Sequence, residues 1–410
     1  MLSLTFQALE GMASMAADFK VLVIGRGMMG AAAARHLALQ SGGIAVLGPD
    51  EPAEPQDHRG VFASHYDEGR ITRTIDKDAD WARLANRSIA RYGDIAEQSG
   101  IDFYTPAGCL ITGQKRSSGG AYIASVVDAA ASLGVGIDIL DDAALAERFP
   151  FFAFADGSEG VHEARNAGHI SPRRLVKAQS LLAEKAGAAV IREAAVATHD
   201  RGGHVEVVTD SGRSYSAEKV LVAAGGFSIA ERLLPDRLAM TVYGRTIVFF
   251  EVDEAEAGRL AKMPSLISEP ADPRDGIYML PPIRYPDGRI YAKIGGDPDN
   301  LHLQTELDIR DWFRTDGRAF ARDHLVRIMG EIIPDLAVRS ISTSSCVTSF
   351  PPSGYPAIGF TSSPRIAVLT GGCGASAKSS DEIGRLGAEL MLGNRISDGA
   401  YATDFKPEFL

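Results

Sequence analysis

"FKVLVIGRGMMGAAAARHLALQSGGIAVLG", residues 19–48, decides the fold. An apolar run, Val21 to Ile24, meets Gly25-x-Gly27-x-x-Gly30, with Met28 and Met29 between the last two glycines. An alanine-rich helical stretch follows, and a second apolar run, Ile44 to Leu47, closes the unit. The order is strand, tight turn, helix, strand. Gly25 permits the turn, Gly27 lets backbone approach a pyrophosphate, and Gly30 lets helix and strand pack closely. The helix N-terminus carries partial positive charge toward the phosphates. An isolated G-x-G-x-x-G could belong to another α/β turn, but the whole βαβ context points to a dinucleotide. The acid that should hold the adenosine ribose at the end of the second strand is replaced by Gly48. Asp50 and Glu51 lie just beyond, so Asp50 is a candidate for that contact.

A chain of 410 residues is long enough for two domains and for burial of a large ligand. The balance of 42 Lys+Arg against 53 Asp+Glu, net charge -11, argues against nucleic acid as the main partner. Cys109, Cys346 and Cys373 are widely spaced and make neither a disulfide framework nor a zinc site. A reducing, cytoplasmic location is expected. No stretch approaches the about 18 apolar residues of a membrane span, so no membrane partner is expected. Residues 1–18 hold no basic residue for a signal peptide's front end, and Met12 or Met15 could be the start. This leader is expected to be disordered and is left out of the fold.

Helical periodicity returns at "DWARLANRSIARYGDIAEQSG", followed by strand-like "IDFYTPAGCLITG". Ser171-Pro172 opens a helix in "SPRRLVKAQSLLAEKAG". The strands "AAVIREAAV", "HVEVVTD" and "KVLVAAGGFS" come next. From Thr241 to about Ile341 strand-like segments precede helical "RDWFRTDGRAFARDHLVRIMGEII". The end, "RIAVLTGGCGASAKSSDEIGRLGAELMLG", is again strand, glycine turn, helix. A chain that begins and ends in βα units, with β-rich material between, fits a nucleotide fold built from separated segments.

Four further stretches carry chemistry: "SHYDEGRITR" (Ser64 to Arg73), "GGCGASAK" (Gly371 to Lys378), "TSSCVTSF" around Cys346, and "IYAKIGG" around Lys293. Arg70 and Arg73, three apart, would share one face of a helical turn. Together these residues resemble the flavin-dependent amine and amino-acid oxidoreductases of the D-amino-acid-oxidase fold, in particular the monomeric sarcosine oxidases and N-methyl amino-acid oxidases. The resemblance covers nearly the whole chain from Lys20 onward.

It implies an α/β fold with a Rossmann-type FAD-binding domain from discontinuous segments (19–104, 160–236, 342–410). An α+β substrate domain with a mixed or antiparallel sheet (105–159, 237–341) would complete it. Ser64, His65 and Arg70 would run under the flavin, and Tyr66 stands where the family has a second histidine. Arg73 and Lys378 would clamp a substrate carboxylate. Gly372 and Gly374 would offer backbone N–H groups to the reduced ring, so both glycine turns would serve one cofactor. Val196 matches an adenine contact, and Gly225 a backbone contact after the second flavin strand. Cys346 matches the cysteine that attaches flavin covalently, with Cys373 as an alternative thiol. Lys293 matches the lysine that activates O2, while Met279 stands in place of a pocket aromatic.

The implied reaction oxidises the C–N bond of a small amine or amino acid, secondary amines and N-methyl amino acids favoured. A hydride equivalent passes to FAD, and O2 takes the electrons to give H2O2. His65 and Tyr66 would influence protonation of the amine. Two other readings stay open: a dehydrogenase passing electrons to a quinone or flavoprotein, and a non-catalytic flavin-binding subunit. The exact amine and the oligomeric state are open, and a monomer is compatible.

Overall fold

The computed structural model describes residues 17–410, and nearly all of the expected leader lies outside them. The first unit forms as its pattern requires: β1 (Phe19–Ile24), α1 (Met28–Ala38) and β2 (Ile44–Leu47). Then come β3 (Arg70–Thr72), α2 (Ala79–Ile89), α3 (Tyr92–Ser99), β4 (Tyr104–Thr105) and β5 (Cys109–Gln114). They are followed by α4 (Ala121–Ser132), β6 (Asp138–Leu140), α5 (Asp142–Arg148), β7 (Ser158–Glu163) and β8 (Gly168–Ile170). Next is α6 (Pro172–Lys185), whose cap is Ser171: its hydroxyl accepts from the Arg174 N–H at 3.1 Å. Strands β9 (Ala189–Ile191), β10 (Ala195–Asp200), β11 (Val205–Thr209) and β12 (Ser214–Val222) complete the first half.

The second half opens with β13 (Thr241–Val252), α7 (Glu254–Arg259), β14 (Ser265–Glu269), β15 (Ile277–Arg284), β16 (Ile290–Gly295) and β17 (Leu301–Leu303). The expected single helix is two, α8 (Glu306–Phe313) and α9 (Ala319–Ile332). Gly317 between them has φ +86 and lies so close to Thr246 that a Cβ would come within 2.6 Å of its methyl. The chain closes with β18 (Ser340–Phe350), β19 (Ala357–Phe360), β20 (Ile366–Thr370) and α10 (Ser380–Gly393).

The nucleotide-type sheet has a parallel centre in the order β20-β12-β1-β2-β9, with β19, β10 and β11 added antiparallel. At its centre Val21–Ile24 of β1, β2, the end of β12 and β20 are buried and read as unbroken apolar runs. The carboxyl ends of β1, β12 and β20 therefore open onto one edge. The second sheet is mixed: β18-β13-β16-β15-β14-β5-β7-β6, antiparallel except for β14 on β5, with β17 also on β13. β3, β8 and β4 form a small third sheet. β7 and β18 hydrogen-bond within the second sheet, so boundaries drawn at 160 and 342 cut through its strands. No described helix is long and apolar enough to cross a membrane.

Helix α10 lies on α1 because both present small residues. A Cβ on Gly384 would fall 2.5 Å from the Ala32 methyl and 2.6 Å from the Ala33 nitrogen. Beside this contact the fully buried Asp381 carboxylate accepts from Arg35 Nη2 at 2.7 Å, Gln179 Nε2 at 2.8 Å and Arg91 Nε, and faces His36 Nε2 at 3.1 Å. Burial pushes this carboxyl up. The contacts with His36 and the charges of Arg35 and Arg91 outweigh it, holding Asp381 well below the usual carboxylate range. Asp381→Asn strands buried cations, so it should lower unfolding free energy by about 3 kcal/mol at pH 7. The depressed carboxyl stabilises above its unfolded value of about 3.9 and loses that contribution as pH falls. The gap between wild type and variant in urea midpoints should therefore shrink below pH ~4. Equal midpoints at pH 7 would contradict the account.

Candidate active site

A cavity of about 860 Å³ runs along the carboxyl edge of the parallel sheet and continues under the second sheet. That is the size of a cofactor and ligand pocket, roughly 300–1,000 Å³. Its wall brings together Gly25, Gly27, Met28 and Met29 after β1, Ser64 to Tyr66, Arg70 and Arg73, Gly225 after β12, Cys346 on β18, and Gly372 and Gly374 after β20.

The turn after β1 is closed by contacts only glycine allows. Gly25 has φ +104, and a Cβ there would sit 2.3 Å from the Ala223 carbonyl oxygen. Gly30 faces the turn itself, a Cβ falling 1.8 Å from the Gly25 oxygen, so it packs the helix and does not line the cavity. Gly27, the N-cap of α1, faces open space: a Cβ there would meet only His65 Nδ1, at 3.9 Å. Among the described residues no side chain caps α1 and no acid occupies its first turn, which leaves its first N–H groups for an anion.

The adenosine end departs from expectation. Gly48 replaces an acid because the Arg26 backbone passes too close: a Cβ would lie 2.7 Å from the Arg26 nitrogen. Asp50 turns outward, 61% exposed, and pairs with Arg26 and with Arg192 at 3.3 Å instead of lining the cavity. Val196 is likewise corrected. It is 37% exposed and off the wall, whereas Ala194 and Ala195 line it, with a register irregularity in the β10–β11 pairing between Ala195 and Ala197.

At the other end, the loop after β20 holds three left-handed residues, Gly371 (φ +86), Cys373 (φ +48) and Gly374 (φ +68). The Cys373 N–H donates to Ser349 O at 2.9 Å, tying the loop to β18. Successive turns run on to Ser379 before α10 begins, so the loop and not a helical turn faces the cavity. Burial pushes the Cys373 thiol up to about 12, which keeps it protonated. Cys346 is half-buried on the wall, and Arg70 Nη2 donates to its sulfur at 3.6 Å.

Arg70 and Arg73 do not share a helical face. Arg70 opens β3, paired with Ile170, and Arg73 follows the strand's last residue. Each meets an aspartate that sequence reasoning missed. Arg73 Nη2 donates to Asp76 Oδ2 at 3.0 Å, and Lys378 Nζ lies 3.1 Å from the same oxygen. Lys378 is fully buried behind Arg73, 5.4 Å from the Trp81 ring, and is not on the cavity wall. Burial pushes its ammonium down to about 8, with Asp76 opposing. Lys293 is fully buried too and also off the wall: Nζ donates to Asp67 Oδ2 at 2.7 Å and to Gly69 O. Asp67 further pairs with Arg70 and accepts the Tyr285 hydroxyl at 2.7 Å. Burial, then the Arg70 guanidinium, push Lys293 well below its ordinary value, and the neighbouring Cys346 opposes them. Spacing offered one signal for both aspartates, D-x-x-R-x-x-R-x-x-D over residues 67–76.

His65 and Tyr66 do not titrate near neutrality. Burial, then the charges of Arg173, Arg26 and Arg70, pushes His65 down to about 3. Burial pushes the Tyr66 phenol up to about 12. The rings meet edge-on at 4.7 Å. His65 Nδ1 is buried with no hydrogen-bond partner among the described residues, beside Gly27. An uncapped helix, an open glycine and an orphaned nitrogen at one end, and a left-handed glycine loop at the other, fit an elongated dinucleotide.

Comparison with known proteins agrees with that geometry. Residues 20–390 match the model of the FAD dependent oxidoreductase (DAO) family. The chain is similar to monomeric sarcosine oxidase of Bacillus sp. (strain B-0618), 26% identical over 329 residues, 78% of this chain and 80% of that protein. It is similar to N-methyl-L-tryptophan oxidase of Citrobacter koseri, 26% identical over 53% of this chain and 56% of that one. Among solved structures, NikD, an unusual amino acid oxidase essential for nikkomycin biosynthesis, superposes with a TM-score of 0.74 at 21% identity, covering 96% of this chain and 98% of its own. Glycine oxidase from Geobacillus kaustophilus does so with a TM-score of 0.71 at 17% identity, over 95% and 98%. The structural likenesses show the fold, and the family match shows the rest: this chain belongs to the FAD dependent oxidoreductase family and is an FAD-dependent oxidoreductase.

Proposed function

We propose that the chain oxidises the C–N bond of a small amine that bears a carboxylate, with secondary and N-methyl amino acids favoured, and that O2 accepts the electrons. The observation that carries this reading is the Arg73 guanidinium on the cavity wall, fixed by Asp76 with Lys378 behind it. Two cations sharing one aspartate keep a net positive charge while Lys378 is protonated, which suits one substrate carboxylate. The names of the relatives, a sarcosine oxidase and an N-methyl-L-tryptophan oxidase, support the same class.

FAD bound in this cavity supplies the two-electron acceptor for the substrate's C–N bond. Gly27, Met28 and Met29 would hold its diphosphate, with Gly25 and Gly30 shaping their turn. Arg70, Ser64, Gly225, Gly372 and Gly374 would hold the ring end, and the Cys346 sulfur would attach to it. Arg73 orients the substrate through its carboxylate. Neither His65 nor Tyr66 takes a proton from the amine near neutral pH, so the amine must enter as the free base or lose its proton to solvent. The protein is further proposed to be cytoplasmic, with residues 19–104, 160–236 and 342–410 forming the FAD-binding domain and 105–159 and 237–341 the substrate domain, apart from β7 and β18, which pair in the second sheet.

A dehydrogenase is the second reading, and one observation favours it: the Lys293 ammonium is engaged by Asp67 and Gly69 and stands off the cavity wall.

Anaerobic holoenzyme should be bleached by at least one of sarcosine, glycine, proline or an N-methyl amino acid. Arg73→Met should lower kcat/KM for that substrate by roughly 100-fold, the worth of a charge-assisted bidentate contact. An unchanged kcat/KM would refute the carboxylate role. Lys293→Met should slow reoxidation by air by orders of magnitude while sparing reduction by substrate. Slow reoxidation already in the wild type, untouched by the variant, would establish the dehydrogenase reading instead. Acid precipitation should give a yellow pellet from the wild type and a colourless one from Cys346→Ser. A yellow variant pellet would place the attachment elsewhere.

A further inference from the structure

Glu269 ends β14 on the cavity wall, well away from Cys346. The strands between run β18-β13-β16-β15-β14, so four inter-strand steps, roughly 19 Å, separate the two elements. Gly276 keeps the cavity side of the carboxylate open: a Cβ there would come within 3.2 Å of Glu269 Oε2. The half-buried carboxylate has no side-chain hydrogen bond or ion pair among the described residues. Burial pushes its carboxyl up, and only the charges of Lys77 and Arg73 pull the other way. Lys77 is itself exposed, its ammonium 5.7 Å from the centre of the Tyr122 ring, and Tyr122 is part of the same wall.

A carboxylate withdrawn from water without a partner is costly, and a cation arriving with the ligand removes that cost. Arg73, held by Asp76, takes the substrate carboxylate. The nitrogen to be oxidised must lie against the ring-facing wall of Arg70, Gly372 and Gly374. Glu269 stands on a different strand system, within reach of Arg73's charge but across the cavity from Cys346. Its partner is therefore a third group of the substrate.

We propose that Glu269 binds a second cationic nitrogen, and that the substrate is an amino acid with a basic side chain. This rests on the reading of the cavity as an amine-oxidising site. Glu269 is then the specificity-determining residue, setting which amino acid is taken while leaving the chemistry of the reacting nitrogen to the other wall.

The test is calorimetric binding of 6-aminohexanoate and hexanoate to the holoenzyme. Both carry the carboxylate and neither carries an α-nitrogen, so binding is read without turnover. Wild type should bind 6-aminohexanoate roughly five-fold more tightly, as a half-exposed ion pair allows. Glu269→Gln should erase that preference, bringing the two Kd values together. Equal Kd values in the wild type, or a preference that survives in the variant, overturn the proposal. The wild-type comparison stands even if the variant fails to fold. Anaerobic bleaching separates the two levels of the account: reduction by norleucine but not lysine overturns the Glu269 assignment alone. No reduction by any amine, with the binding preference intact, overturns the amine-oxidising reading alone.

Discussion

The parallel pairing of β1 and β20 on either side of β12 is the constraint from which the site follows. Parallel strands point their carboxyl ends the same way, and two inter-strand steps put those ends roughly 10 Å apart. Each of these ends is followed by a glycine turn, Gly25 to Gly30 in one case and Gly371 to Gly374 in the other. Segments more than 340 residues apart in sequence thus become neighbours on one sheet edge. Thr370 Oγ1, donating to Gly225 O at 2.9 Å, ties the end of β20 to the turn after β12. Helix α10 must then lie on α1, and Gly384 and the buried Asp381 network hold it there.

Charge is arranged by the same economy of position. Arg70 and Arg73 each share an aspartate with a buried lysine: Arg70 with Asp67 and Lys293, Arg73 with Asp76 and Lys378. A buried cation without a counter-ion would be expensive, and a pair that fully cancelled would not attract an anion. Two cations on one carboxylate avoid both outcomes. The arginines reach the cavity and the lysines stay behind, so each lysine acts on the site through its arginine and aspartate. Glu269, by contrast, has no such partner among the described residues, and its carboxylate on the cavity wall is left unmatched there.

What was legible in the sequence was local. The β1-α1-β2 unit, the Ser171 cap and the strand–glycine–helix ending all declare themselves within about 30 residues, through periodicity and glycine spacing. A nucleotide fold built from separated segments followed from their order, and the second, mixed sheet from the family resemblance. Long-range register was not legible: β18 runs the full length of β13 across a separation near 100 residues, and nothing in "SISTSSCVTSF" announces it. Side-chain direction was the other loss. Val196 and Asp50 lie at the expected places along the chain and point away from the cavity, while Ala195 and Gly48 face it. Lys293 and Lys378 were readable as residue types, but their aspartate partners were not assigned, because a pairing in space leaves little trace in a linear string.

The central claim is that both glycine turns hold one cofactor. A crystal structure of the flavin-loaded protein tests it most directly. The diphosphate should lie at the N–H groups of Gly27 to Met29 and the ring against Gly372 and Gly374. A flavin held by only one of the two turns, or lying away from that sheet edge, would contradict it.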